Sequence, residues 1–96
     1  MRTVNMAYTI NEIIGAFKNL NDYEVLTVIW TDNNTSYVHR VSKNALLKVK
    51  TKRTSETGGL SHDLYWESKK SGIVKIPLEM IIDILIEFKL NASDWD

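Results

Sequence analysis

The sequence predicts an α+β fold: an antiparallel sheet of about four to five strands with an N-terminal and a C-terminal helix packed on one face, in the order α-β-β-β-β-β-α. Three observations predict it. An apolar stripe at helical spacing follows a capping box near the start. A run of β-branched and aromatic residues turns back on itself at Asp32-Asn33-Asn34-Thr35. A second, strongly apolar segment follows Pro77, the only proline.

Thr9-Ile10-Asn11-Glu12 has the form of a capping box, in which the Thr9 hydroxyl accepts from the backbone N–H three residues on and Glu12 reaches back. Ile10, Ile13, Ile14, Phe17 and Leu20 then form one apolar stripe, opposite Asn11, Glu12, Lys18 and Asn19. A helix is expected from about Ile10 to Leu20.

Tyr23 to Thr31 is rich in Val, Ile, Thr, Trp and Tyr and predicts a strand, with Tyr37 to Val41 as its return. Asn tolerates the positive φ of a type I′ turn, so Asn33 and Asn34 suit a two-residue loop. That loop fixes the register. Trp30 faces Tyr37, Val28 faces His39 and Leu26 faces Val41; Ile29 faces Val38 and Thr27 faces Arg40 on the other side. Both faces carry apolar residues, so the first strand is expected to be central.

Ala45 to Arg53 predicts a third strand, in which Leu47 and Val49 alternate with Lys48, Lys50 and Lys52. Residues 54–60 contain Gly58-Gly59 and no periodicity and predict a mobile loop. Asp63 to Glu67 and Ile73 to Ile76 predict the fourth and fifth strands, joined by a turn at Ser68 to Gly72. Pro77 suits the first position of a helix, where its missing N–H costs nothing. That helix is expected over Leu78 to Leu90, followed by a polar tail at 91–96.

The 96 residues fit a single domain, 1–96. Apolar residues make up 44% and charged residues 25%, an ordinary globular balance, and the formal net charge is zero. The absence of cysteine excludes disulfides and thiolate metal sites. The N-terminus lacks the apolar run of a secretory signal, and charges interrupt Ile73 to Leu90 too often for a bilayer span. No membrane partner and a cytoplasmic location are expected.

Charge is unevenly placed. Between Asn33 and Ser55 lie Arg40, Lys43, Lys48, Lys50, Lys52 and Arg53 with no acid, while Glu79, Asp83, Glu87, Asp94 and Asp96 follow Pro77 against Lys89 alone. The basic-patch candidates are Arg40, Lys48, Lys50, Lys52 and Arg53. Phosphate contact, an acidic protein surface, or lysines that guard a sheet edge would each use this pattern. Aromatics interleaved with the lysines, which single-stranded nucleic acid would want, are missing from the strand.

In the closing helix Glu79, Asp83 and Glu87 fall in one narrow line and nearly every other position is apolar. Such a helix is either buried on two sides or offers Met80 and Ile84, or Ile82 and Ile86, to a partner or to a homodimer. Trp30 is expected to pair with Tyr37. One aromatic of Leu64-Tyr65-Trp66 must face away from the core. Trp95 either tucks back onto the core or anchors a partner. The partner-binding candidates are Met80, Ile84, Glu79, Asp83, Glu87 and Trp95.

Catalysis finds little footing. His39 and His62 are the only histidines, and Ser61-His62-Asp63 are neighbours in sequence, which is not how a triad converges. No phosphate-binding, dinucleotide or nucleophile-elbow motif occurs. No enzyme, metal or cofactor is expected.

The segments Ile10-Asn11-Glu12-Ile13-Ile14, Asn21-Asp22-Tyr23-Glu24-Val25 and Thr31-Asp32-Asn33-Asn34, with the return strand ending Arg40-Val41, resemble small phage-encoded anti-CRISPR proteins. The resemblance covers under half the chain and transfers no site residue. It implies a small inhibitor from a phage or mobile element that binds and blocks a host defence protein in the host cytoplasm. Those proteins typically imitate DNA with acidic surfaces. The basic middle departs from that pattern, and only the acidic closing segment could play such a part. The expected function is therefore a non-enzymatic interaction protein of this inhibitor kind, with a nucleic-acid-binding accessory protein using the basic strand around 48–53 as the alternative.

Overall fold

In the computed structural model, residues 8–53, 60–92 and 95 are described. The chain is α+β, but among the described residues it builds two antiparallel sheets of three strands and one α-helix. Helix α1 spans Ile10–Lys18. The strands are β1, Glu24–Asp32; β2, Thr35–Ser42; β3, Lys48–Arg53; β4, Leu60–Ser68; β5, Gly72–Pro77; and β6, Ile81–Phe88. One sheet has the order β2-β1-β6 and the other β3-β4-β5.

The capping box forms as expected. Thr9 Oγ1 accepts from the Glu12 N–H at 3.1 Å, and Glu12 Oε1 accepts from the Thr9 N–H at 2.9 Å. The hairpin also follows the sequence. Asn33 and Asn34 have φ of 50° and 67°, and the strands pair Trp30 with Tyr37, Val28 with His39 and Leu26 with Val41. The rings of Trp30 and Tyr37 stack at 4.5 Å. β1 is central, with β2 on one side and β6 on the other.

The expected closing helix over Leu78–Leu90 is overturned. Leu78–Met80 forms a short 3-10 turn, Ile81–Phe88 is strand β6, and Lys89–Asn91 is a second 3-10 turn. Ile81, Ile82, Ile84 and Ile86 are β-branched; they lose side-chain freedom in a helix and fit a pleated surface. β1 also has apolar side chains buried on both faces and needs a second neighbour. β6 supplies it, pairing Leu26 with Ile86, Val28 with Ile84 and Thr27 with Leu85, with a register shift at Ile29/Trp30.

The expectation of one sheet with both helices on one face falls with that helix. The two sheets and α1 instead share one core. Ile13 and Leu20 from the helical region, Leu26, Val28, Val41 and Ile81 from the first sheet, and Leu64, Trp66, Val74 and Ile76 from the second form it. The His39 and Trp66 rings meet edge-on at 5.9 Å between the sheets. Residues 54–59 of the expected mobile loop lie outside the described residues, and Leu60 already belongs to β4. In the tail, Asn91 closes the second 3-10 turn and residues 93, 94 and 96 lie outside the described residues. No helix among the described residues is long and apolar enough to cross a membrane.

Candidate functional site

The second sheet has two unlike faces because side chains alternate along each strand. Val74, Ile76, Leu64 and Trp66 turn inward to the core. On the outer face, Lys48 lies opposite Tyr65, Lys50 opposite Asp63 and Lys52 opposite Ser61. β5 adds Lys75 opposite Tyr65 and Pro77 opposite Asp63. The result is a surface of four lysines around one tyrosine and one aspartate, with Glu67 at its end.

Contacts within this face are specific. The Lys50 ammonium sits 3.6 Å from the centre of the Tyr65 ring, a cation–π contact. Lys75 Nζ lies 3.9 Å from Asp63 Oδ2, and Asp63 is 4% exposed beneath its neighbours. The sequence candidates divide accordingly. Lys48, Lys50 and Lys52 come together on this face. Arg53 alternates to the other side, opposite Leu60. Arg40 is in the other sheet, where Arg40 Nε donates to Glu87 Oε1 at 3.0 Å.

Two members of the face escaped the sequence reading. Lys75 alternates with the buried Val74 and Ile76, a signal readable from period two. Tyr65 is the outward aromatic of its pair, while Trp66 is 1% exposed. The aromatic missing from the lysine strand itself is supplied by the strand beside it.

The closing segment does not form the expected acidic line. Glu79 lies in the 3-10 turn, and Asp83 and Glu87 project from a strand. Asp83 Oδ1 accepts from the Tyr8 hydroxyl at 3.0 Å and from the Ile84 N–H at 2.9 Å. The bond to Asp83 and its charge hold the Tyr8 phenol above its ordinary pKa. Glu87 accepts from the Thr27 hydroxyl and from Arg40, tying β6 to β1 and β2. The Thr27 bond first, then Arg40, holds its carboxyl below the usual glutamate value.

Met80 and Ile84 are half-buried rather than presented as a helical stripe, and Ile84 packs against the core. The helix through which a homodimer was expected is replaced by strand β6. Trp95 is exposed and lies outside the core; it forms an isolated bridge with Arg40 on the outer edge of β2, and Lys89 Nζ sits 4.6 Å from its ring centre. The apolar side chains that β6 does expose are Ile82, Leu85, Ile86 and Phe88, and Phe88 leans on Tyr23 at 5.9 Å.

The structure separates Ser61, His62 and Asp63. Ser61 and Asp63 point to one side of β4 and His62 to the other, where His62 Nδ1 shares a hydrogen bond with Thr51 Oγ1 at 2.9 Å. His39 Nδ1 accepts from Trp30 Nε1 at 3.0 Å. A shallow cavity of about 300 Å³ lies between Lys52, Ser61, Asp63, Leu78 and Glu79. Among the described residues, no group of three His, Asp or Glu side chains could hold a metal ion.

Comparison with known protein families, curated proteins and solved structures finds no match for this chain.

Proposed function

We propose that this chain is a small non-enzymatic interaction protein whose working surface is the outer face of the β3-β4-β5 sheet, and that its partner is an acidic surface of a host protein. The observation that carries the reading is the grouping of Lys48, Lys50, Lys52 and Lys75 around Tyr65. Tyrosine is among the residues enriched in binding hot spots, and lysines around it complement an acidic surface. The lysines of β3 also guard an edge strand, and one row can serve both purposes. The resemblance of the N-terminal segments to anti-CRISPR proteins supports an inhibitor from a phage or mobile element, acting in the host cytoplasm on a defence protein.

The presence of Tyr65 among the lysines favours a second reading, a nucleic-acid-binding accessory protein. Against it, Lys50 already covers one face of that ring, and the exposed Glu67 and the buried Asp63 carboxylates would repel phosphate. The test is capture from nuclease-treated bacterial lysate by the wild type and by a Lys48→Glu, Lys50→Glu, Lys52→Glu variant. A discrete protein held by the wild type and lost by the variant supports the first reading. Binding that disappears with nuclease, together with salt-steep binding of a single-stranded oligonucleotide, supports the second. Equal capture by both proteins removes the lysine face from either account.

A further inference from the structure

Among the described residues, the two sheets have four edges, and these are unequally guarded. β3 carries its lysines. β5 is short, with Gly72 at its start, Lys75 within it and Pro77 at its end. The outer edge of β2 is met at Arg40 by Trp95. β6 is different: eight residues long, with no lysine, glycine or proline, and with Ile82, Ile86 and Phe88 each more than half exposed. Its two carboxylates are engaged within the chain, Asp83 by Tyr8 and the Ile84 N–H and Glu87 by Thr27 and Arg40, so the side chains left at this edge are mostly apolar. Natural sheets avoid a long edge of this kind unless something pairs with it.

The backbone shows which groups that edge offers. The Lys89 N–H donates to the Tyr23 carbonyl at 2.9 Å, so odd-numbered residues from 83 to 89 direct their backbone toward β1. Even-numbered residues direct theirs outward. The Ile84 N–H obeys this, because it turns away from β1 to Asp83 Oδ1. With that donor taken, the outward groups are the Ile84 carbonyl and the backbone of Ile86 and Phe88.

We propose that β6 pairs antiparallel with β6 of a second copy of this chain, across a two-fold axis at Ile86, joining two three-stranded sheets into one of six strands. The register follows from charge and from the outward groups. An axis at Ile86 sets Ile86 against its equivalent, Ile84 against the copy's Phe88, and Asp83 against the copy's Lys89. An axis at Leu85 sets Asp83 against Glu87, and one at Glu87 sets that residue against itself; both oppose like charges. An axis at Ile84 needs the N–H that Asp83 has taken. An axis at Phe88 sets Glu87 against the copy's Lys89, but it sets Ile86 against Leu90, which lies in the 3-10 turn beyond the strand. Among the axes that keep the apolar pairs within β6, the Ile86 axis alone adds an attraction between opposite charges. A two-fold contact also closes on itself, so this edge is used up in a dimer rather than left to grow a fibre. The pairing stands apart from the lysine face, which lies on the other sheet.

The test is sedentarion equilibrium from 5 to 500 µM, on the wild type and two variants, with far-UV circular dichroism as the check on folding.

 The sedimentation data are read as a monomer–dimer equilibrium. The wild type is expected to dimerise. Ile86→Lys places two ammonium groups together at the axis and is expected to leave a folded monomer at every concentration. Lys89→Glu opposes Asp83 with a like charge and is expected to weaken dimerisation about tenfold. If Ile86→Lys fails to fold, Lys89→Glu decides the matter alone. A wild type that stays monomeric, a dimer indifferent to Lys89→Glu, a dimer that survives in folded Ile86→Lys, or growth beyond two copies would each overturn the proposal.

Discussion

Replacing Glu87 with alanine probes the closing strand through its polar anchor. Glu87 Oε1 accepts from both the Thr27 hydroxyl and Arg40 Nε, so one carboxylate links all three strands of its sheet. Thr27 is 1% exposed. Losing its acceptor strands a buried hydroxyl, at a cost of about 1–3 kcal/mol. Arg40 is partly exposed and recovers water, so its share is smaller, about 0.2–1 kcal/mol. Together the expected loss is about 1–4 kcal/mol, read from the midpoint of urea unfolding at unchanged slope. Glu87→Gln keeps an oxygen acceptor for Thr27 and is expected to lose about 1 kcal/mol, mostly through Arg40. The sign with pH is fixed. The native Glu87 pKa is depressed, so its contribution is complete above the ordinary glutamate value and drains away as pH falls through the depressed one. The acid limb of stability should therefore be shallower in Glu87→Gln. If Glu87→Ala stays within about 0.5 kcal/mol of wild type, as a solvent-facing residue would, the linkage across the sheet is refuted.

Other substitutions test separate parts of the fold by the same unfolding assay. Asn34→Val places a β-branched residue at a φ of 67° and is expected to cost about 1–2 kcal/mol, while Asn34→Gly is expected to be neutral or better. Trp66→Ala empties the largest buried side chain of the core and is expected to cost about 3–5 kcal/mol. Trp66→Phe is expected to cost clearly less, since the indole Nε1 it removes has no hydrogen-bond partner among the described residues. Thr9→Ala removes half of the capping box and is expected to cost about 1 kcal/mol, with a matching loss of helical signal.

The parts of the fold that could be read from the sequence are those set by neighbouring residues. The capping box needs only Thr9 and Glu12. The β1–β2 register needs only the Asn33-Asn34 turn and the alternation on either side. The closing segment was ambiguous for a physical reason: Asp83 and Glu87 are four residues apart, a spacing that puts them on one face of a helix and equally on one face of a strand. The four isoleucines in Ile81 to Ile86 were the signal that favoured a strand. Local pattern also could not divide six strands between two sheets, because that depends on β6 returning to β1 across more than 50 residues of chain. The candidate site divides the same way. The lysine row was legible along one strand, whereas Tyr65 and Lys75 joined it through pairing between strands.

Residue-by-residue amide exchange along Ile81–Phe88, at a concentration low enough to keep the chain monomeric, tests the closing strand most directly. A strand paired only with β1 gives alternating protection, with Asp83, Leu85 and Glu87 slow and Ile86 and Phe88 fast. An unbroken block of slow amides through the segment, as a helix or a strand paired on both sides would give, would contradict it.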